Sequence, residues 1–386
     1  MSLKKKFING LSWQALNVFT QVILQLIFIA VLARLISKEA FGVMAIALVV
    51  VGFVEIFSQI GIGPALIQKK DPTKEHISAA FAISVTLGAV FTGLMFLLAP
   101  LVADLYDHPP LTKVLRVIGL SFLISSIAIV PKSLIIKEMA FKKLFIAALV
   151  AMSIGNICIG IGMAYMGYDL WAYVAALLSQ NLIMMVFYWV FKPIKINHKW
   201  NWEIAKELVV YGGGSTLFNF FNYAATKIDT LIVGMLSSPS GMSELNFDQN
   251  TEVAEGSDRW ATTGIYDRSV YLMGLPITVL GKLSDSVMFS GLSMLQDNLK
   301  KLQRAVLSAV YHISLLVIPG TVFLLFFTRE ITVLFLGNKY EAAVPIVNIL
   351  FISVTFRSLI KIGDAVVRAV KASYLYAASG IKAVFF

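Results

Sequence analysis

The stretch LSWQALNVFTQVILQLIFIAVLARLI, Leu11–Ile36, decides the fold class. Its 26 residues exceed the about 20 apolar residues that a helix needs to cross a bilayer. Lys4, Lys5 and Lys6 precede it, and Arg34 and Lys38 mark its far end. A cleaved signal peptide has an apolar region of about 7–15 residues followed by a small-residue cleavage site. This run is longer and no such site follows, so it reads as an uncleaved first transmembrane helix. Four carboxamides interrupt it, at Gln14, Asn17, Gln21 and Gln25. Steps of three and four residues keep all four on one helical face. Amides turned to lipid tails would lose hydrogen bonds, so this face is expected to meet protein or water.

Similar apolar runs follow along the chain. Ten complete spans are expected, near 11–36, 41–63, 79–103, 114–131, 145–166, 170–191, 208–236, 262–282, 305–327 and 342–361, with a partial eleventh from about 372. The connecting segments alternate in charge. One set, which begins with Lys4–Lys6 and includes Lys132, Lys137, Lys142 and Lys143, holds 21 of the 32 basic residues, and the opposite set holds seven. Basic loops stay on the cytoplasmic side, so the N-terminus is expected there. The segment near 237–261, with Glu244, Asp248, Glu252, Glu255 and Asp258, reads as an acidic, flexible external loop.

Composition agrees. Of 386 residues, 58% are hydrophobic and 14% charged, against about 45–50% and about 25% in soluble domains. The net charge of +10 follows from topology rather than from nucleic-acid binding. Cys158, the one cysteine, excludes an intrachain disulfide and reads as a buried thiol inside an apolar run. The four histidines are scattered, no metal-spaced Cys/His cluster occurs, and no GxxxxGK[ST] phosphate loop is present. No metal, cofactor or enzymatic constellation is therefore expected.

An internal duplication is visible. Ala65-Leu66-Ile67-Gln68 resembles Ser293-Met294-Leu295-Gln296, Gly42-Val43 resembles Gly264-Ile265, and 104–122 resembles 330–352. The expected fold is all-α: two pseudo-repeated six-helix lobes, 1–206 and 207–386, with the second incomplete. Such repeats place transport sites at their interface. The seventh helix, repeat partner of the first, carries Ser215, Asn219, Asn222, Thr226 and Asp229 on one face. The two stripes are expected to border a shared hydrated cavity between the lobes.

Intramembrane charges usually mark pathways or paired partners. They are Glu55, Lys227, Asp229, Asp267, Arg268 and Arg357. Lys227 and Arg268 lie roughly 10–14 Å below the external surface at 1.5 Å per residue, with Lys227 a possible partner of Asp267. A cationic cavity suits phosphate or pyrophosphate.

Several further pieces keep a common order and spacing. They are Val31-Leu32-Ala33-Arg34-Leu35-Ile36-Ser37 to Phe41-Gly42, Gly61-Ile62-Gly63-Pro64-Ala65-Leu66-Ile67-Gln68-Lys69-Lys70-Asp71, Asp229-Thr230-Leu231-Ile232-Val233-Gly234, Gly264-Ile265-Tyr266-Asp267-Arg268 with Leu275-Pro276, Leu295-Gln296-Asp297, and Ala342-Ala343-Val344-Pro345. In these the chain resembles polysaccharide exporters of the colanic-acid type, in the superfamily that also holds multidrug antiporters and lipid II flippases. The resemblance implies two six-helix lobes around a central cavity. It also implies alternating-access export of a lipid-linked oligosaccharide, on a polyprenyl pyrophosphate, across the bacterial inner membrane, in company with other polysaccharide assembly proteins. Members of that family usually carry more helices than are counted here.

On this reading Lys227, Arg268 and Arg357, with Gln14, Asn17, Gln21, Gln25, Asn219 and Asn222, line the substrate cavity. Glu55, Asp229 and Asp267 are candidates for coupling to H+ or Na+. The alternatives are an ion-coupled multidrug antiporter of the same superfamily, which calls for a dominantly acidic cavity, or a membrane-embedded polysaccharide polymerase or ligase, which calls for catalytic groups on a large external loop.

Overall fold

A computed structural model describes residues 3–59, 61–69, 72–194, 202–236, 259–283 and 299–369. Every regular element among them is helical. The helices are α1 (Leu3–Leu35), α2 (Lys38–Gln59), α3 (Ile62–Gln68), α4 (Lys74–Leu105), α5 (Pro109–Lys137), α6 (Phe141–Ala151), α7 (Gly162–Tyr165), α8 (Asp169–Phe191), α9 (Trp202–Leu236), α10 (Arg259–Leu283), α11 (Leu299–Phe326), α12 (Thr328–Leu336) and α13 (Val344–Ala369). A π-helical stretch, Met152–Ile161, joins α6 to α7, and a 3₁₀ turn, Asn338–Ala343, joins α12 to α13.

Eight helices among the described residues are long and apolar enough to cross a membrane. Leu97, Leu101, Phe326 and Ile349 show the consequence: all four large apolar side chains are exposed, which is the arrangement that lipid tails accept and water does not. The chain is a multi-pass membrane protein. Helices stand at the expected seventh and eighth spans, as α9 and α10, but neither is among the eight apolar ones. The polar residues that mark both segments, Asn222, Thr226 and Asp229 in α9 and Asp267 and Arg268 in α10, are the reason. The expected eleventh span and the acidic segment at 237–258 lie outside the described residues.

The chain divides into two compact units. The first comprises 1–28 and 35–263, the second 29–34 and 264–386. Within the first unit α9 packs against α2, α3 and α4.

Within the first unit, three glycines bring helices close. A Cβ on Gly42 would stand 1.9 Å from the Trp260 carbonyl oxygen, one on Gly52 2.0 Å from the Tyr223 hydroxyl, and one on Gly234 2.5 Å from Ile46. α2 starts on Ser37, whose Oγ accepts the Ala40 amide at 3.1 Å, the ordinary way an N-cap satisfies an orphan donor. Ser37 is itself held by Asp169, which accepts its backbone N–H at 2.7 Å and its hydroxyl at 2.8 Å. Gly61, at φ 57°, separates α3 from α2.

The expected burial of Cys158 is corrected: its side chain is exposed on the π-helical stretch. In a membrane an outward apolar face costs nothing, so an apolar run does not tell inside from outside.

In the second unit α11 pairs with α13, joined by a 2.9 Å bond between the Thr321 and Thr355 hydroxyls. The Arg34 guanidinium donates to the carbonyl oxygens of Leu334, Phe335 and Val333 at 2.5, 3.3 and 3.4 Å. A cation there satisfies the orphan acceptors at the C-terminus of α12.

Candidate functional site

The polar face of α9 meets the last turns of α2 inside the first unit. They enclose, with α3 and α5, a cavity of about 420 Å³ lined by Glu55, Gln59, Thr216, Asn222, Tyr223 and Thr226 among others. That volume is within the range of small-molecule sites, about 300–1,000 Å³.

Its walls are positioned by local contacts. The Gln59 amide, one turn beyond Glu55, donates to Glu55 Oε1 at 2.8 Å. The Tyr223 hydroxyl reaches the Leu48 and Val49 carbonyls of α2 at 3.3 and 3.4 Å, and its ring stands edge-on to Phe53, centroids 5.0 Å apart. These contacts tie α9 to α2 along the cavity wall. Thr226 returns its hydroxyl to the Asn222 carbonyl at 2.9 Å while remaining exposed, as Asn222 does. From α5, Ile129 lines the cavity, with Ser125 and Lys132 within electrostatic range of Glu55.

The residues singled out in the sequence fall into different surroundings. Glu55 and Asn222 line this cavity. The side chain of Asn219 lies outside those described. The first-helix amides are not among the lining residues. Asn17 is buried and accepts a 2.8 Å bond from Gln21, four residues on. Gln14 has a buried Oε1 with no hydrogen-bond partner among the described residues, and Gln25 is half-buried. Lys227 and Asp229 on α9 are half-buried, and Asp229 Oδ1 accepts the Thr230 amide at 2.7 Å.

Asp267 and Arg268, buried on α10, form an ion pair with each other, where the sequence suggested Lys227 for Asp267. Arg268 also lies over the Tyr271 ring at 5.2 Å. Its long side chain folds back along its own helix, where the sequence reading placed it in the substrate cavity. Arg357 on α13 is exposed.

Lys132, Gln59 and Tyr223 were not singled out. Lys132 was counted among the loop cations because an apolar run ends beside it, but α5 continues to Lys137. The sequence signal that locates it is helical spacing: Ser125, Ile129 and Lys132 share one face.

Among the described residues no group of three or more His, Cys, Asp or Glu is placed to hold a metal ion. A polar cavity walled by helices whose outer faces are apolar is the construction of a membrane transporter. The chain belongs to the polysaccharide biosynthesis protein family, whose model matches residues 31–245 and 259–345. The lipopolysaccharide biosynthesis protein WzxC of Escherichia coli (strain K12) is 22% identical over 93% of this chain and 69% of its own. The teichuronic acid biosynthesis protein TuaB of Bacillus subtilis (strain 168) is 22% identical over 95% and 72%.

Among solved structures, the lipid II flippase MurJ in an inward closed conformation aligns with a TM-score of 0.71 at 14% identity, covering 93% of this chain and 76% of its own. An inward-facing multidrug resistance MATE transporter aligns with a TM-score of 0.63, also at 14%, covering 92% and 87%. At that identity the likeness shows the fold alone.

Proposed function

We propose that the chain moves a lipid-linked oligosaccharide, carried on a polyprenyl pyrophosphate, across the bacterial inner membrane by alternating access, for surface polysaccharide synthesis. The observation that carries this is the cavity of α2, α3, α5 and α9, whose lining offers amide, hydroxyl and carboxylate groups. Sugar hydroxyls exchange their hydrogen bonds with water for bonds to such a wall, while the polyprenyl chain stays in lipid and loses no hydrogen bond. Membership of the polysaccharide family supports a saccharide cargo.

Deleting the gene is expected to leave the complete lipid-linked repeat unit in the cytoplasmic leaflet, read by extraction and leaflet-specific labelling. Accumulation in the outer leaflet instead overturns the reading and favours a polymerase or ligase.

Glu55 is the acidic residue best placed for H+ or Na+ coupling, since it lines the cavity, whereas Asp267 is taken up by Arg268. Collapsing the proton and sodium gradients in cells is expected to slow export. Export unchanged under both treatments excludes coupling. Glu55 also supports a second reading, an ion-coupled multidrug antiporter, for which deletion sensitises cells to cationic drugs and leaves lipid-linked sugars unchanged.

A further inference from the structure

We propose that Trp189 is a positioning residue of the cavity: its indole N–H latches a proline hinge in α5 and so fixes the wall that α5 supplies; the proposal rests on the flippase reading. Proline has no N–H, so Pro131 leaves the carbonyl of Ile127, four residues back, without its helical donor. In a helix that spans a membrane, as α5 can, a neighbouring element must re-satisfy such a carbonyl. Trp189 of α8 does so, its Nε1–H donating to the Ile127 oxygen at 3.0 Å. α4 repeats the device. Pro100 frees the Phe96 carbonyl in the same way, and Arg116 of α5 donates its Nε–H to that oxygen at 3.2 Å. Two freed carbonyls, each met by a side chain from a neighbouring helix, make the Trp189 bond part of a pattern rather than a chance contact.

The latch sits in the stretch of α5 that the cavity uses. Ile127 accepts the Trp189 bond, Ile129 lines the cavity, and Pro131 interrupts the hydrogen-bond ladder. Ser133 then meets α3 at Gly63, itself a lining residue, with its Oγ 3.1 Å from where a Cβ there would stand. The Trp189 ring also stands edge-on to Phe81 of α4, centroids 5.6 Å apart, so one side chain of α8 touches both α4 and α5. A helix that lacks one of its hydrogen bonds bends more readily there than elsewhere. A donor on the freed carbonyl opposes that bend. With the bond made, Ile129 is held in the lining; with it broken, α5 swings at Pro131 and carries Ile129 away.

The test is a double-variant cycle, W189F and P131A alone and together, on the full chain in lipid nanodiscs, read by hydrogen–deuterium exchange of the α5 amides between 128 and 136. W189F keeps an aromatic ring and loses the donor. P131A returns an N–H to the Ile127 carbonyl and makes the indole donor redundant. W189F is expected to speed exchange about fivefold or more in the native background, and to change it less than about twofold in the P131A background. Export by cells is expected to fall about threefold or more in W189F, with no further fall when W189F is added to P131A. Equal acceleration in both backgrounds marks lost packing, and no acceleration in either shows that the bond holds nothing; both overturn the proposal. Coupled exchange with unchanged export overturns it too, because the positioning role is then gone. If W189F does not fold, a folded W189F/P131A chain demonstrates the same coupling, and a double variant that also fails to fold overturns the proposal. The exchange arm reads no transport, so its failure is separate from failure of the flippase reading, which the deletion strain tests.

Discussion

Asp267→Asn is expected to destabilise the chain by about 3–5 kcal/mol, the usual cost of stripping one partner from a buried ion pair. The side chains of Asp267 and Arg268 are only 11% and 5% exposed, so water does little to screen the remaining guanidinium. The Arg268–Tyr271 contact, with the ring 5.2 Å away, cannot replace a full negative charge. The double variant Asp267→Asn with Arg268→Gln removes both charges and is expected to recover most of the loss, because two neutral amides can bond to each other. Thermal unfolding in detergent, followed by the monodisperse fraction, separates the outcomes. If the single variant melts with the wild type, the pair is not what neutralises Arg268. If the double variant is as unstable as the single one, the loss comes from packing rather than charge.

The helices and their order were legible in the residues, because lipid demands long apolar runs and the hydrogen bonds of a helix are satisfied within it. The polar face of α9 was legible too, at Asn222 and Thr226, because a helical period survives whatever packs on it. The face of α1 was read in the same way, but its surroundings were not. Two carboxamides four residues apart can satisfy each other, as Gln21 and Asn17 do, and periodicity cannot tell that from a wet wall.

Lys132 was hidden for the opposite reason. Counting charges assigns a lysine at the end of an apolar run to a loop, and only the length of α5 places it inside a helix. The Asp267–Arg268 pair escaped because side chains one residue apart on a helix do not normally face each other. The guanidinium is long enough to turn back.

Cysteines placed at Asn222 and Thr226, in a chain freed of the exposed Cys158 by Cys158→Ser, test the claim on which the proposed function depends: that this face of α9 is wet. Both native side chains are exposed, and both line the cavity beside Glu55 and Gln59. A thiol ionises and reacts with a charged methanethiosulfonate in water, whereas a thiol in lipid remains protonated and out of the reagent's reach. A cationic adduct at either position also fills part of a cavity of about 420 Å³ and adds a charge beside Glu55, so export should fall about tenfold or more once labelling is complete. The exposed apolar Ile232, on the same helix, is the comparison position. Rapid labelling of Asn222→Cys and Thr226→Cys in intact membranes, with Ile232→Cys unreactive, is the predicted result; all three thiols equally unreactive would contradict the account.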